Sequence, residues 1–386
     1  MKRLVLCFDG TWNSADSRGA ETNVAKIARA VRANSGGQEI PQLTLYTRGV
    51  GSTGIALQRL VDGVGGVGID DNILSGYMFW AQNYVPGDEI FIFGFSRGAF
   101  TARSLAGFVG SSGLLKRQRL GDVAKAWNYY RTATERSPKG FCSSYGSECH
   151  EDVTVNFLGV WDTVGALGIP SSLLGSFVND DYQFHNTRPS RSVKVARHAL
   201  AIDEFRDEFV PTLWTGSQPE GSDIRQVWFA GAHSDVGGGY ARSALSDIPL
   251  HWMAKEAQRA GLDLDWDMLP REETLDPLAP QHESRRSWSR KDRVTPTIRM
   301  VNGYEAPVSF YQGLYRAMGD DGKPVAVINE SIHESVVKRL GRRVTSLTDD
   351  GDEEGFAFEY EPINLAKVRR RAVPRVVAAA AAGAPV

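Results

Sequence analysis

Cysteine is scarce in this chain of 386 residues, which contains only Cys7, Cys142 and Cys149. A small and odd number of cysteines is typical of proteins from a reducing compartment. Cys142 and Cys149 are near enough in sequence to form a disulfide within one loop, but free thiols are the favoured interpretation. Because no second pair of ligands stands at metal-binding spacing from Cys149 and His150, the sequence predicts no metal site and no cofactor.

Long apolar runs and a strong charge imbalance are absent as well. No apolar run comes near the roughly 18 residues of a transmembrane helix, and the formal net charge of −2 gives no basic field for nucleic acid. The first residues lack a signal-peptide pattern, because Asp9 follows only five apolar residues. They are predicted to form a buried strand. The protein is expected to be cytoplasmic, with export by a signal-independent secretion system as the alternative.

What is present is an alternation of short apolar runs with helical patterns. Strands are predicted at 3–9, 42–49, 89–95, 153–162 and 224–233, and helices at 23–33, 71–84, 96–110 and 190–209. This alternation predicts an α/β fold with a mostly parallel sheet and helices on both faces. We expect one hydrolase-like domain over 1–345, with helical insertions at about 111–150 and 250–300. An acidic loop and a low-complexity tail are expected over 346–386.

The clearest motif is Gly94-Phe95-Ser96-Arg97-Gly98, a G-x-S-x-G pattern that follows an apolar strand and precedes a helical run. This context is typical of the elbow that presents a nucleophilic serine, in which the two glycines keep side chains from colliding. The amides at the start of the following helix then face the negative charge that develops during acyl transfer. The alternative interpretation is a glycine-rich turn with a buried serine that takes no part in chemistry.

A serine nucleophile requires a histidine base and an acid that orients the base. Asp162 and His233 follow Ser96 in the chain order of α/β-hydrolases, and each is predicted to leave a strand at its carboxyl end. Because these ends meet at one edge of a parallel sheet, Ser96, Asp162 and His233 are the candidate catalytic residues. Asp203 and Asp235 remain competing candidates for the acid.

The oxyanion hole of such an enzyme combines the amide after the nucleophile with an amide from an earlier strand-to-helix turn. Arg97 would supply the first amide, and Gly10 or Thr11, after the first strand, would supply the second. The same Phe-Asp-Gly-Thr run resembles the start of haloacid-dehalogenase-like phosphatases, but Cys7 occupies the place of their nucleophilic aspartate. A G-x-G-x-x-G match at 63–68 follows a helical pattern rather than a strand, so we interpret it as a flexible loop and not as a dinucleotide site.

Several runs resemble, in this order, the DUF2235 family of α/β-hydrolases: FDGTWN, TRGVGS, the glycine-rich loop with DDNI, YVPGDEIFIFGFSRGAFTARSLAG, FLGVWDTVG, RHALAIDEFRDEF and WFAGAHSDVGGGY. The family includes the catalytic domain of class 1 lipase effectors of type VI secretion, and the resemblance extends over about 3–345. It implies an α/β-hydrolase fold, a triad of Ser96, Asp162 and His233 and, for secreted members, cleavage of membrane glycerophospholipids. One departure is Phe205, which stands where family members often carry an arginine.

The sequence therefore predicts a serine ester hydrolase, with a phospholipase acting through an acyl-enzyme as the favoured interpretation. A carboxylesterase for small soluble esters is one alternative, and a catalytically silent binding module with the same fold is another. The run at 167–177 is a candidate lid, and the arginines of the tail are candidates for contact with a membrane surface. A secreted toxin would have an immunity protein as a partner, whereas no nucleic-acid partner is expected. Acidic residues at 70–72 and 233–235 leave calcium open as a ligand, although hydrogen-bonded loops are the favoured interpretation.

Overall fold

A parallel β-sheet of eight strands forms the centre of the molecule. The computed structural model describes residues 1–10, 21–34, 40–49, 67–165, 187–285, 296–301, 313–315, 317, 323–348, 355–365 and 376–377. Its strands, in chain order, are β1 (Arg3–Phe8), β2 (Gln42–Thr47), β3 (Glu89–Phe95), β4 (Leu114–Leu115), β5 (Cys149–His150), β6 (Val155–Trp161), β7 (Val193–Ala201), β8 (Asp223–Phe229), β9 (Gln281–Glu283), β10 (Thr297–Arg299), β11 (Gly313–Tyr315), β12 (Glu330–His333), β13 (Arg343–Thr348), β14 (Phe356–Glu359) and β15 (Val376–Val377). The central sheet has the order β15-β12-β8-β7-β6-β3-β1-β2, and every neighbouring pair in it is parallel.

Helices cover both faces of this sheet. In chain order they are α1 (Asn23–Ala30), α2 (Val67–Asn83), α3 (Arg97–Ser112), α4 (Val123–Thr132), α5 (Pro138–Tyr145), α6 (His233–Gly237), α7 (Asp247–Arg259) and α8 (Glu334–Arg339). Leu4 and Leu6 of β1 pack with side chains of α2 and α3, whereas Val5 and Cys7 pack with side chains of α1 and α7 on the opposite face. The predicted α/β fold with a mostly parallel sheet is therefore confirmed. None of the described helices combines the length and the apolar character needed to cross a membrane.

Strand β7 overturns one prediction from the sequence. Residues 190–209 are predicted as a helix, but 193–201 form a central strand that pairs with β6 on one side and β8 on the other. A strand buried on both faces carries apolar residues at consecutive positions, so its spacing also satisfies a helical pattern. The helix prediction is wrong here because hydrophobic periodicity does not separate these two cases.

The interpretation of the cysteines also needs correction. Cys142 on α5 and Cys149 on β5 form a disulfide, so free thiols are wrong for this pair. The cause is the antiparallel pairing of β4 with β5, which turns the chain back beside α5 and leaves the two Cα atoms 6.6 Å apart. Cys7 is free and buried in β1.

A smaller β layer follows α7 in the chain. Strand β9 joins β13 and β14 in a three-stranded sheet, and β10 pairs with β11. This layer contacts the segment that leaves β7, since the Thr297 N–H donates a hydrogen bond of 2.9 Å to the Phe205 carbonyl. It therefore lies against the edge of the central sheet at which the candidate catalytic residues are expected.

Candidate active site

Ser96 occupies the sharp turn between β3 and α3. Its backbone has φ 58° and ψ −123°, a conformation that residues other than glycine rarely adopt. The Ser96 N–H donates to the Trp161 carbonyl at 3.1 Å, which ties the turn to the end of the neighbouring strand β6. The strained serine on a strand-to-helix turn is the local geometry that the G-x-S-x-G motif predicts.

The two glycines of the motif lie where a side chain has no room. A Cβ atom on Gly94 would be 2.7 Å from the Cα of Ala99 in the first turn of α3. A Cβ atom on Gly98 would collide with the carbonyl oxygens of Phe8 and Asp9 at the end of β1. Because both positions are glycine, the first turn of α3 packs directly against the ends of β3 and β1.

Asp162 and His233 meet at this same edge. Asp162 follows β6 directly and is fully buried, and His233 is the first residue of α6. His233 Nδ1 lies 2.6 Å from Asp162 Oδ2, and since a carboxylate only accepts, Nδ1 carries the proton. The imidazole ring also packs against the rings of Phe95 and Phe209, with centroid distances of 4.6 and 4.8 Å. Because Phe95 immediately precedes Ser96, the imidazole lies beside the elbow.

The hydrogen bond between the serine and the histidine is not formed in this structure. Within the described part of the chain, no group accepts a hydrogen bond from the Ser96 hydroxyl. Ser96 is nonetheless enclosed, with 6% of the residue's surface exposed. The structure thus brings the three predicted residues to one edge and joins two of them directly.

Asp162 has a second charged partner that the sequence did not reveal. Arg299 of β10 donates through Nη1 to Asp162 Oδ1 at 2.7 Å and through Nη2 to Oδ2 at 3.1 Å. The Ala201 N–H donates to Oδ1 at 3.0 Å. Burial by itself raises the pKa of Asp162, but the Arg299 guanidinium and the hydrogen bond from His233 outweigh it and hold that pKa well below its usual range.

A buried ion pair supports the other side of His233. The His233 N–H donates to Glu204 Oε2 at 3.2 Å, and the Arg206 guanidinium forms two hydrogen bonds to the same carboxylate, at 2.9 and 2.8 Å. The Ser284 hydroxyl donates to Glu204 as well, at 3.1 Å. Burial raises the pKa of Glu204, yet Arg206 outweighs that effect and brings it to about 2. Burial also lowers the pKa of His233, against the opposing effect of its bond to Asp162.

The two competing carboxylates are engaged elsewhere. Asp203 accepts hydrogen bonds from the Gly231 N–H at 2.7 Å and the Tyr360 hydroxyl at 2.8 Å, and burial raises its pKa to about 6. Asp235 accepts from His282 Nδ1 at 2.7 Å. Asp162 is therefore the carboxylate that holds the His233 imidazole.

The candidate oxyanion hole is described only in part. Arg97 is the first residue of α3, so its N–H lies at the N-terminus of this helix. The Gly10 N–H donates to its neighbour Asp9 at 2.7 Å, so in this conformation it is not free to bind an oxyanion. Thr11 lies outside the described residues, as do the candidate lid at 167–177 and most of the glycine-rich loop at 63–68.

Phe205, the departure from the family pattern, lines a cavity of about 300 Å³ together with Ile298 and Phe358. The Arg285 guanidinium lies over the Phe205 ring, 5.0 Å from its centre. A guanidinium is thus present beside residue 205, although residue 205 itself is not an arginine. Within the part of the chain that the structure describes, no cluster of side chains is arranged to hold a metal ion.

Sequence reasoning missed the groups behind the histidine for identifiable reasons. Glu204 and Arg206 fall in the stretch that was predicted as a helix. They reach the sheet edge of the candidate site because the chain there leaves a strand, β7. Arg299 stands between Ile298 and Met300, and a charged residue inside a short apolar strand was the available signal that its side chain is paired in the interior.

Comparison with known proteins gives a family match and several partial relatives. A family model described as "T6SS, Phospholipase effector Tle1-like, catalytic domain" matches residues 2–256. An uncharacterized protein of Saccharomyces cerevisiae is 31% identical over 242 residues, which are 55% of this chain and 33% of the yeast protein. The chain therefore spans about a third of the length of this curated relative.

Two solved structures align over most of this chain. An uncharacterized protein from Pseudomonas aeruginosa aligns with a TM-score of 0.43 and 19% identity, covering 71% of this chain and 48% of that one. The Tle1 effector bound to the VgrG spike of the type 6 secretion system aligns with a TM-score of 0.38 and 20% identity, covering 62% of this chain and 51% of that one. About half of each solved chain thus has a counterpart here.

Proposed function

The chain belongs to the Tle1-like catalytic-domain family of type VI secretion phospholipase effectors, and from this premise we propose that it is a serine ester hydrolase with a triad of Ser96, His233 and Asp162. Membership places the chain among lipases and esterases. The observation that carries the proposal is the 2.6 Å contact of His233 Nδ1 with Asp162, at the sheet edge where Ser96 forms a strained turn.

The proposed reaction begins with proton transfer from the serine. Because His233 Nδ1 donates to Asp162, the lone pair of the neutral imidazole is on Nε2. As the Ser96 oxygen attacks the ester carbonyl carbon, Nε2 takes its proton, and Asp162 stabilises the imidazolium that results. The imidazolium then protonates the leaving alkoxide, which gives an acyl-enzyme and a free alcohol. Water attacks the acyl-enzyme with His233 again as the base, releasing the carboxylic acid and restoring Ser96.

The electrostatics of the pair suit this role. The lowered pKa of His233 keeps the imidazole neutral, and so able to accept a proton, at neutral pH. The lowered pKa of Asp162 keeps the carboxylate ionised throughout. The oxyanion would be bound by the Arg97 amide and by the Thr11 amide, or by the Gly10 amide after its bond to Asp9 is released. Loss of one such donor typically reduces the rate by about 10²–10³.

Glycerophospholipids are the proposed substrates, since the family model describes a phospholipase effector. Such a substrate requires contact with a membrane surface. If the protein acts as a secreted toxin, an immunity protein would be its partner.

The test incubates the wild type and Ser96→Ala with vesicles of mixed glycerophospholipids and, separately, with soluble short-chain esters. Released fatty acid is measured by mass spectrometry. Ser246→Ala is the matched control, because it removes another buried hydroxyl, one that donates only to the Ser243 carbonyl. We expect the wild type and Ser246→Ala to release fatty acid from vesicles, and Ser96→Ala to release none. Cleavage of soluble esters alone would instead indicate a carboxylesterase, and no cleavage of either by the wild type would overturn the proposal.

A further inference from the structure

Arg299 belongs to the part of the chain that follows the family match, yet its side chain ends at the catalytic acid. The side chain is almost fully buried, with 2% of its surface exposed. Its guanidinium holds both oxygens of Asp162 and donates to the carbonyls of Ala201, at 2.7 Å, and Phe209. A buried arginine with this set of acceptors is fixed in one orientation.

These bonds have a geometric consequence for the base. The two-point contact prevents rotation of the Asp162 carboxylate, so Oδ2 remains directed at His233 Nδ1. The bond to the Phe209 carbonyl also holds the segment whose ring packs on the His233 imidazole. The Arg299 guanidinium therefore positions both Asp162 and the segment whose Phe209 ring packs on His233.

The same contact has an electrostatic consequence, which depends on the other groups that face the pair. Glu204 and Arg206 neutralise each other on the far side of His233. Burial lowers the pKa of His198, on β7, to about 3, and burial raises that of Tyr315, on β11, to about 12, so both are neutral near pH 7. Arg103, on α3, is a further buried cation that acts on both His198 and Tyr315 and donates to the Thr212 carbonyl. Arg299 is the cation in direct contact with the Asp162 carboxylate.

We infer that Arg299 is a positioning residue that fixes the Asp162 carboxylate and sets the lower limit of the pH range in which His233 acts as a base. The inference rests on the proposed function. Without the guanidinium, a buried carboxylate would have only His233 as a charged partner, and the pair would bind a proton more readily. Because the base is active only when deprotonated, the acidic limb of the rate profile would then move to higher pH.

The test measures the rate at which a fluorophosphonate modifies Ser96 as a function of pH. This readout needs no knowledge of the substrate. The variants are Arg299→Met, which removes the charge, and Arg299→Lys, which keeps the charge but not the two-point contact. Arg339→Met is the matched control, since Arg339 is equally buried and donates to the Pro277 and Ala279 carbonyls without reaching Asp162.

For Arg299→Met we expect the acidic limb to move to higher pH by about 1 unit or more, as loss of a close opposite charge typically does. Arg299→Lys should keep the limb in place and lower the maximal rate about tenfold, because the carboxylate is less well positioned. Arg339→Met should leave the limb unmoved whatever its effect on stability. An unmoved limb in folded Arg299→Met, or an equal shift in Arg339→Met, would overturn the inference.

If Arg299→Met does not fold, Arg299→Lys and Arg339→Lys decide the matter. The inference then requires a lower maximal rate in Arg299→Lys alone, and a wild-type rate at every pH would refute it. Failure of the proposed function has a different signature, since the wild type itself would then not be modified at Ser96 at any pH.

Discussion

Two histidine–aspartate pairs lie close together in this molecule, and their contacts are nearly the same. His233 Nδ1 lies 2.6 Å from Asp162, and His282 Nδ1 lies 2.7 Å from Asp235. All four side chains are buried. The short contact alone therefore does not distinguish a catalytic pair from a structural one.

The surroundings of the two pairs differ. Asp162 is balanced by the Arg299 guanidinium, and its histidine lies beside the strained turn of Ser96. Asp235 instead accepts from the N–H groups of Ala232 and His282, at 3.0 and 2.8 Å, and so ties α6 to β9.

A tyrosine covers the second imidazole. The ring of Tyr240 stacks on His282 with a centroid distance of 3.8 Å. We infer that the His233–Asp162 pair activates the Ser96 nucleophile, whereas the His282–Asp235 pair stabilises the packing of α6 against β9. The neighbours of each pair, and not its own geometry, carry this distinction.

The largest expected effect belongs to the nucleophile itself. Ser96→Ala should lower kcat on vesicles by a factor on the order of 10⁴ or more, because it removes the hydroxyl that is proposed to form the acyl-enzyme. The melting temperature should change little, as the Ser96 hydroxyl has no hydrogen-bond partner among the described residues. Turnover and thermal unfolding of the purified variant provide the check, and retained turnover would mean that neither pair serves a serine.

The two aspartates give the next effect, measured as matched amides. Asp162→Asn should lower kcat by about 10⁴, since an amide that faces Arg299 with its oxygen presents N–H to His233 and forces the wrong tautomer. Asp235→Asn should leave kcat within about tenfold and lower the free energy of unfolding by about 1–3 kcal/mol, the cost of unsatisfied buried donors. Equal losses of kcat in the two variants would contradict the division of roles.

A glycine substitution tests whether the tight turn at Ser96 is required for the proposed activity of the His233–Asp162 pair. Gly98→Ala places a Cβ atom against the carbonyl oxygens of Phe8 and Asp9, so the turn must shift. We expect a loss of activity of about 10²-fold and a loss of stability of about 1–3 kcal/mol. Gly121→Ala is the control, because a Cβ atom there has nothing within 4 Å. Activity assays and denaturant unfolding would report both effects, and a neutral Gly98→Ala would show that the close approach is not required.

The smallest effect concerns stability at acidic pH. It tests whether burial lowers the pKa of histidines outside the two histidine–aspartate pairs as well. Burial lowers the pKa of His233, of His198 to about 3 and of His333 to about 4. The unfolded chain binds these protons first, so stability should fall as pH decreases below about 6.5, by up to about 1.4 kcal/mol per pH unit for each of His198 and His333. Unfolding free energies between pH 8 and pH 5 should show a shallower dependence in His198→Gln than in the wild type. An identical pH dependence of the unfolding free energy in the two proteins would contradict the lowered pKa of His198.

The elbow and the strand ends were predictable because their signals are local. Gly94 and Gly98 mark a turn within five residues, and Asp162 and His233 each follow an apolar run directly. Arg299 was not predictable as a partner of Asp162, because 137 residues separate the two and no pattern in either segment refers to the other.

Strand β7 was missed for a different physical reason. Burial on both faces removes the alternation that identifies a strand, and Glu204 and Arg206 were lost from the predicted site with it. The availability of the Gly10 amide likewise depends on the Asp9 side chain, which accepts from Thr22 and Tyr46 far along the chain.

The most direct test of the central claim is to locate the bond that a fluorophosphonate forms with the protein. Peptide mass spectrometry after reaction would be compared for the wild type, Asp235→Asn and Ser96→Ala. The account predicts one adduct, on Ser96, in the wild type and in Asp235→Asn, and none in Ser96→Ala. An adduct on a different serine, or vesicle hydrolysis without any adduct, would contradict it.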